Sequence, residues 1–387
     1  MAAPRKTSYD VVVVGAGVIG LAAAWKAAEV GLSVAVVERD APGAGASGVA
    51  AGMLAPVTEA EFREEDLLRL NIAAAESWPS FDQALRERSG ADTGYRQTGA
   101  LIVAADRDEA DELRRLHSFQ RSLGLEAEWL TRTDCRRLEP GLAPGVTGGI
   151  AASQDHQVDP RAVVGALRLA LRAAGGELHT GTEVQAIETS AGRVSGVRTR
   201  DSTLTADRVV VAAGCLSGRL AGLPPSALPP IRPVKGQILR LRSGSGEQIA
   251  TRVIRTPRCY VVARAGGEVV IGATVEERGY DTRVTADGVY RLLEAASEVL
   301  PDVGELELVE TAARLRPATP DNCPIVGAGS PAGLVWATGH HRNGILLAPL
   351  TADAVTRSLL DGERAPAGER FAPARFEAVR PALEAAL

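Results

Sequence analysis

Cysteine is scarce in this sequence of 387 residues, and its scarcity excludes two ways of cross-linking a chain. The cysteines form no Cys-x-x-Cys pair, and no histidine stands beside them at the spacing of metal ligands. We therefore expect neither a disulfide scaffold nor a metal site. Hydrophobic residues make up 45% of the chain, which is enough to bury a core without such links. The four cysteines are Cys135, Cys215, Cys259 and Cys323.

Charge of one sign and long apolar runs are also missing. The 43 lysines and arginines against 48 aspartates and glutamates leave a net charge of -5, with no block of like charge. Nucleic acid is therefore not an expected partner. The apolar run at 11–14 is too short for a signal peptide, and no stretch approaches the roughly 20 residues that cross a bilayer. We expect a soluble, cytoplasmic protein without a membrane partner, with a length typical of about two domains.

A complete β-α-β pattern opens the chain. Residues 9–14 predict a strand buried on both faces, 21–30 a helix, and 33–38 a second strand. The turn after the first strand carries a Gly-x-Gly-x-x-Gly fingerprint, whose glycines permit a tight turn, the approach of a pyrophosphate and close packing of helix on strand. Phosphates would lie at the positive end of the helix. The fingerprint consists of Gly15, Ala16, Gly17, Val18, Ile19 and Gly20.

Glu38 ends the second strand, eighteen residues after Gly20. A carboxylate there accepts hydrogen bonds from ribose hydroxyls and would repel a 2'-phosphate, which disfavours NADP and leaves NAD and FAD open. A loop of small residues follows at 39–56, and its amides are free to bind something flat and bulky. We expect cofactor contacts from Glu38, Arg39, Ala46, Ser47, Ala50, Ala51, Gly52 and Met53.

Two later segments, 208–214 and 333–339, again lead an apolar strand into a small-residue turn. Parallel strands so far apart predict a nucleotide domain that is discontinuous in sequence. Between them, 258–264 and 268–274 flank an Ala-Gly-Gly turn and predict antiparallel strands of a second domain. Apolar residues at helical spacing predict further helices over 162–174, 287–300 and 350–360.

Three blocks of sequence resemble the D-amino acid oxidase superfamily of FAD-dependent oxidoreductases and, within it, the glycine oxidase (ThiO) branch. The blocks are residues 45–56, 314–321 and 339–349, which follow one another in the family's order. The resemblance implies an FAD-dependent amine oxidase, with hydride transfer from the substrate α-carbon to flavin N5 and with O2 as the electron acceptor. It also implies an imine that hydrolyses to glyoxylate and ammonia, with release of H2O2, or that feeds thiamine thiazole biosynthesis.

The pattern and the resemblance together predict a fold of the α/β plus α+β class. A discontinuous Rossmann-like FAD-binding domain would carry an inserted antiparallel-sheet substrate domain. The FAD would be held without a covalent bond, because Arg314 stands where a sarcosine-oxidising branch has the cysteine that attaches it. The predicted boundaries are 1–95, 150–225 and 325–387 for the FAD-binding domain, and 96–149 and 226–324 for the substrate-binding domain.

The resemblance assigns three residues to catalysis. Arg316 matches the family's arginine for the substrate carboxylate, and a guanidinium binds both oxygens of a carboxylate in a planar fork. Tyr260 matches a tyrosine that helps to hold the same carboxylate, and Arg342 would support the flavin. Further cofactor contacts are expected from Val184, Ala213, Gly214, Arg316, His341, Arg342, Asn343, Gly344, Ile345 and Leu346.

Two positions depart from the glycine oxidase pattern, since Arg258 replaces a histidine and Val275 a methionine, which leaves the fine substrate preference open. We interpret His340 and His341 as positioning or packing residues, because hydride transfer from a neutral amine needs no protein base. The alternatives are a D-amino acid or sarcosine oxidase or dehydrogenase, and a flavin-binding module without turnover. The expected partners are glycine, sarcosine or D-alanine, O2, and further copies of the chain in a homo-oligomer.

Overall fold

The computed structural model describes residues 7–376. Two segments lie outside the described residues. They are residues 1–6, at the N-terminus where no signal peptide is expected, and residues 377–387, at the end of the predicted FAD-binding domain. Within the described range, two eight-stranded sheets and seven α-helices confirm the predicted combination of α/β and α+β structure. None of the helices in this range is both long and apolar enough to span a membrane.

The elements follow one another along the chain in this order. The strands are β1 (Ser8–Val14), β2 (Val34–Val37), β3 (Met53–Leu54), β4 (Ala100–Ala104), β5 (Glu128–Thr131), β6 (Gly148–Ala152), β7 (His156–Gln157), β8 (Glu177–His179), β9 (Val184–Ser190), β10 (Arg193–Thr199), β11 (Thr203–Val211), β12 (Arg232–Arg242), β13 (Val253–Arg255), β14 (Tyr260–Ala263), β15 (Glu268–Gly272), β16 (Glu307–Ala318), β17 (Ile325–Ala328) and β18 (Leu334–Thr338). The helices are α1 (Val18–Glu29), α2 (Glu65–Ser89), α3 (Arg107–Ser122), α4 (Arg132–Leu138), α5 (Pro160–Ala173), α6 (Ala286–Val299) and α7 (Ala348–Leu360).

The first sheet contains the predicted β-α-β unit. Its main order is β17-β18-β11-β1-β2-β8, with β10 and β9 continuing from the start of β11. The pairs from β18 to β8 are parallel. Val11 and Val13 pack in the core beneath the helices, whereas Val12 and Val14 pack in the core on the opposite face. Because both faces are buried, β1 consists almost entirely of apolar residues without alternation.

Helices α1, α2, α5 and α7 pack together over one face of the first sheet. Asp159 caps the N-terminus of α5, because its carboxylate accepts hydrogen bonds from the first-turn amides of Arg161 and Ala162. Helices α2 and α3 were not predicted from the sequence. Helix α2 contains Pro79, and a proline inside a helix removes one backbone hydrogen bond. Helix α3 is largely charged and exposed, so its apolar stripe is thin.

The second sheet has the order β16-β12-β15-β14-β13-β4-β6-β5 and carries α6 on one face. Its pairs are antiparallel, as predicted, except that β13 runs parallel to β4. Strand β6 pairs with both β4 and β5 as far as Ala152. The predicted boundary between residues 149 and 150 therefore falls inside a strand of this sheet. The division of the chain into two domains remains a prediction.

Candidate cofactor and substrate site

A cavity of about 1590 Å³ extends from the glycine turn after β1 to the strands of the second sheet. It is larger than the roughly 300–1,000 Å³ of an ordinary small-ligand pocket, so a dinucleotide and a small molecule can share it. Most residues predicted to bind the cofactor line this cavity: Gly15, Gly17, Val18, Ile19, Glu38, Arg39, Ala46, Ser47, Ala50, Ala51, Gly52, Met53, Val184, Ala213, Gly214, Arg316, His341, Arg342, Gly344 and Ile345. Four others from the same prediction do not line it: Ala16, Gly20, Asn343 and Leu346.

The turn between β1 and α1 requires glycine at two positions for different reasons. Gly15 has a φ of 103°, and a Cβ there would lie 2.6 Å from the carbonyl oxygen of Ala212. A Cβ on Gly20 would lie 2.0 Å from the carbonyl oxygen of Gly15, because α1 begins directly against the turn. Gly20 thus lies behind the cavity and allows the helix N-terminus to approach it.

Glu38 is held at the cavity wall by two backbone amides. Its carboxylate accepts hydrogen bonds from the amides of Ala16 at 2.7 Å and Asp40 at 2.8 Å. A carboxylate oxygen has a second lone pair, so both oxygens can still accept a ribose hydroxyl. The Ser47 hydroxyl accepts a hydrogen bond from the amide of Val18 at 3.0 Å and ties the small-residue loop to the start of α1.

The small-residue loop presents backbone groups to the cavity. The amides of Ala51 and Gly52 donate no hydrogen bond to any residue between 7 and 376. Unpaired buried amides need a partner, and a bound polar group can supply one. Together with the glycine turn and Glu38, these amides fit a dinucleotide cofactor. In the described part of the chain, no group of three or more His, Cys, Asp or Glu side chains could hold a metal ion.

Tyr260 on β14 and Arg316 on β16 meet at the other end of the cavity, on one face of the second sheet with β15 and β12 between their strands. Tyr260 lies opposite Gly272, where a Cβ would be 2.3 Å from the tyrosine oxygen. Arg316 lies over Gly236, where a Cβ would be 2.5 Å from Nη1. Arg316 Nη1 also donates a hydrogen bond to the carbonyl of Thr274 at 3.1 Å. The two glycines thus let both side chains lie flat against the sheet.

Arg316 differs electrostatically from three other arginines that line the cavity. Arg255, Arg258 and Arg342 are each ion-paired with glutamates. Within residues 7–376, Arg316 has no carboxylate at ion-pair distance, so its charge is available to an anionic ligand. Burial raises the pKa of the Tyr260 hydroxyl, with the charge of Arg316 opposing the rise. Tyr260 is therefore a protonated hydrogen-bond donor beside a guanidinium that has no carboxylate partner in the described part of the chain.

Arg342 lines the cavity, but three glutamates hold its guanidinium. Nη2 lies 2.7 Å from Glu64, Nη1 lies 2.9 Å from Glu61, and Nε lies 3.8 Å from Glu59. Glu59 also pairs with Arg255 at 3.5 Å, and both of these residues line the cavity. Glu59 and Arg255 were not predicted as site residues. Their ion pair joins residues far apart in the chain, and no local pattern of residues indicates such a pair.

His340 and His341 are neutral at pH 7. Burial lowers the pKa of each to about 3, and at His341 the charges of Arg342 and Arg316 add to this effect. His340 Nε2 lies 2.9 Å from the hydroxyl of Thr351, which fastens the turn to α7. His341 Nδ1 is buried without a hydrogen-bond partner among the described residues. That atom is available to a ligand in the cavity.

The two positions that depart from the glycine oxidase pattern both line the cavity. Arg258 is ion-paired with Glu109 at 3.3 Å and also contacts Glu298. Val275 is 74% exposed and contributes an apolar side chain to the wall. The charge of Arg258 is therefore compensated by the protein, and an arginine at this position does not by itself add a second anion site.

Asp155 anchors the segment that leads to the glutamates around Arg342. Its buried carboxylate accepts hydrogen bonds from the amides of Val57 at 3.0 Å and Thr58 at 2.8 Å. Burial raises the pKa of Asp155 to about 6, although those hydrogen bonds and the charge of Arg255 oppose the rise. The carboxyl group therefore titrates near neutral pH while it holds one wall of the cavity.

The substitution Asp155→Asn is expected to remove a pH dependence of stability. Between pH 4 and 6 the unfolded aspartate ionises while the folded one keeps its proton, so the folded state loses stability as the pH rises. The loss expected from Asp155 over this window is about 3 kcal/mol. Urea unfolding of the FAD-loaded protein across pH 4 to 8 measures it, with the exposed Asp302→Asn as the control. The same slope in wild type and D155N would contradict this account.

Known proteins resemble the chain over most of its length. The family described as FAD dependent oxidoreductase (DAO) matches residues 10–358. A glycine oxidase of Geobacillus kaustophilus is 37% identical over 357 residues, which cover 90% of this chain and 93% of that protein. The crystal structure of glycine oxidase from Geobacillus kaustophilus matches with a TM-score of 0.85 and 35% identity, over 93% of this chain and 96% of that one.

A second relative is longer than this chain. The bifunctional protein ThiO/ThiG of a Synechocystis species is 34% identical over 376 residues, which cover 96% of this chain and 54% of that protein. The chain thus spans about half the length of this relative. The geometry agrees with this family. An FAD site needs a glycine turn, a carboxylate for the ribose and free backbone amides, and the cavity has these features in the turn after β1, in Glu38, and in Ala51 and Gly52. The chain belongs to the DAO family of FAD-dependent oxidoreductases, and its cofactor is FAD.

Proposed function

We propose that this enzyme oxidises glycine, converting glycine, O2 and water into glyoxylate, ammonia and H2O2. The observation that carries the proposal is that Arg316, which has no carboxylate partner between residues 7 and 376, meets the protonated hydroxyl of Tyr260. An amino acid carboxylate matches this pair in charge and in hydrogen-bonding geometry. The name and the similarity of the Geobacillus kaustophilus relative support glycine as the amino acid.

Arg316 binds both carboxylate oxygens of the substrate in this proposal. Its guanidinium is already oriented by the carbonyl of Thr274 and by the sheet surface at Gly236, so little side-chain freedom is lost on binding. Tyr260 donates a third hydrogen bond to the carboxylate. Fixing the carboxylate at two residues leaves the α-carbon with few orientations, and this positioning is the protein's main contribution to the rate.

The redox chemistry belongs to the cofactor. The bound FAD would supply an acceptor for the hydride of the substrate carbon and a route for the two electrons to O2. His340 and His341 are neutral imidazoles at pH 7, so neither is an imidazolium acid that would protonate the substrate amine. We propose that these histidines and Arg342 position the loop before α7, with Arg342 also holding the segment of Glu59, Glu61 and Glu64.

The FAD is proposed to be held without a covalent bond. Arg314 lines the cavity at the position of the attaching cysteine, and its Nε donates to the carbonyl of Ala44 at 2.8 Å. Cys323 is buried, and burial raises the pKa of its thiol to about 11, so it is not the reactive thiolate. We further propose that the imine can feed thiamine thiazole biosynthesis, as the ThiO resemblance implies. A cytoplasmic location and a homo-oligomeric state remain predictions.

Turnover with a panel of small amino acids tests the proposal. Purified enzyme is expected to release one H2O2 and one glyoxylate for each glycine consumed, with a higher kcat/KM for glycine than for sarcosine or D-alanine. A higher value for either competitor would place the enzyme with the sarcosine or D-amino acid oxidases. Turnover that requires an artificial electron acceptor would identify a dehydrogenase. A bound flavin that none of the amino acids reduces would identify a binding module.

A further inference from the structure

Three arginines hold the small-residue loop of the FAD site from the side that faces away from the cavity. Arg161 Nε and Arg240 Nη2 both donate to the carbonyl of Gly48, at 2.8 and 3.4 Å. Arg264 Nη2 donates to the carbonyl of Ala51 at 2.7 Å. Arg240 and Arg264 are buried, whereas Arg161 is half-exposed. They come from three separate elements of the chain and meet on one short loop.

Two glutamates pair with these arginines and complete what we call the arginine-glutamate cluster. Glu268 accepts hydrogen bonds from Arg240 at 2.6 Å and from Arg264 at 3.0 Å. Glu310 accepts from Arg161 at 2.7 Å and lies directly opposite Arg240 in the pairing of β12 with β16. Burying a guanidinium is costly unless its charge and its N–H groups are matched. Here the two glutamates, with Asp159 at 3.8 Å from Arg264, offset the three positive charges. The loop carbonyls accept further N–H groups, whereas the Nε groups of Arg240 and Arg264 have no partner among the described residues.

The hydrogen bond from Arg264 to the Ala51 carbonyl fixes the orientation of the peptide between Ala51 and Gly52. In a planar trans peptide the C=O and the following N–H point in opposite directions. Because Arg264 binds the Ala51 carbonyl from the sheet side, the N–H of Gly52 points to the other side. Gly52 lines the cavity, and its amide has no partner among the described residues. A Cβ on Gly52 would lie 2.1 Å from the carbonyl oxygen of Val158, so the backbone has little room to rotate.

We propose that Arg161, Arg240 and Arg264 are positioning residues of the FAD site. They act through the backbone: by binding the carbonyls of Gly48 and Ala51, they present the amide of Gly52 to the cofactor. The cluster also joins the FAD loop to the second sheet through β12, β15 and β16, the last of which carries Arg316. The proposal rests on the FAD site and not on glycine as the substrate, so a test that reads flavin binding separates the two.

The test compares Arg264→Met with Arg252→Met. R264M removes the bond to Ala51 but leaves Glu268 paired with Arg240. Arg252 is the matched control, because it also pairs with a glutamate, Glu139 at 3.2 Å, and donates to a backbone carbonyl, yet it does not touch the FAD loop. The FAD-loaded proteins are diluted, the flavin released is measured by its fluorescence, and the visible absorbance spectrum of the bound flavin is recorded.

For R264M we expect the Kd for FAD to rise about tenfold, as for the loss of one hydrogen bond from a charged donor, and the visible spectrum to change. R252M should keep the wild-type Kd and spectrum. Wild-type values for R264M would overturn the proposal, and so would an equal loss of FAD from R252M. If R264M does not fold, the half-exposed Arg161→Met gives the same comparison at Gly48. A smaller rise in Kd with a changed spectrum is expected there, and no change would overturn the proposal.

Discussion

Replacing Arg316 with methionine is expected to lower kcat/KM for glycine about a thousandfold. Arg316 makes two charge-assisted hydrogen bonds to the substrate carboxylate in the proposed complex. Their loss corresponds to about 4 kcal/mol of transition-state binding. Arg316→Lys should recover little of this, because an ammonium group cannot bind both oxygens in a fork. Steady-state kinetics with glycine, followed by H2O2 release, measures both variants.

Two further variants make the Arg316 result specific. Tyr260→Phe removes one neutral donor and should lower kcat/KM about tenfold, much less than the loss of the guanidinium. Arg252→Met, directly before β13 and paired with Glu139, should have wild-type kinetics. The FAD content and visible spectrum of the Arg316 variants are measured as well, because Arg316 lines the shared cavity and is an expected cofactor contact. A variant that keeps its FAD assigns the kinetic loss to the substrate carboxylate. Wild-type kcat/KM in R316M would disprove the assignment of the carboxylate site.

The substitution Gly20→Ala should abolish FAD retention and destabilise the protein by about 3 kcal/mol or more. The added methyl group would lie 2.0 Å from the carbonyl oxygen of Gly15, which is backbone and cannot rotate away. Helix α1 must then move off β1, and the amides at its N-terminus lose their position for the pyrophosphate. The FAD content after gel filtration and the thermal unfolding midpoint report the two effects.

Gly165→Ala is the matched control for Gly20. Gly165 lies inside α5, with no atom within 4 Å of its added Cβ. An alanine there should leave FAD binding unchanged and stabilise the helix by about 0.5–1 kcal/mol, because alanine loses less backbone entropy than glycine. A G20A protein that keeps both FAD and the wild-type unfolding midpoint would contradict the close approach seen at the turn.

Features encoded by neighbouring residues were predictable from the sequence. The β-α-β unit could be located because β1, the glycine turn and α1 follow one another without interruption. The apolar strand β18 was recognisable for the same reason, since burial on both faces leaves a continuous run. Helix α2 was not predicted, because Pro79 interrupts its helical pattern. Its residues are also of mixed polarity, so tertiary packing is needed to stabilise the helix.

Features that depend on distant pairing were not predictable. Arg342 and Glu64 are 278 residues apart in the chain and meet only after folding. The arginine-glutamate cluster likewise depends on the register of β12 with β16, which places Glu310 opposite Arg240. A sequence shows charged residues on strands but not their partners across the sheet. Arg316 and Tyr260 are predicted site residues on the family resemblance alone, whereas the glycines beneath them required the structure.

Anaerobic mixing of the FAD-loaded enzyme with glycine tests the central claim most directly. The claim is that glycine, held at Arg316 and Tyr260, reduces the bound FAD. The visible absorbance of oxidised flavin should disappear on adding glycine and return when O2 is admitted, with glyoxylate in the solution. In R316M the same absorbance should fade about a thousandfold more slowly at low glycine concentration. An absorbance that glycine leaves unchanged, while a bulky D-amino acid removes it, would contradict the account.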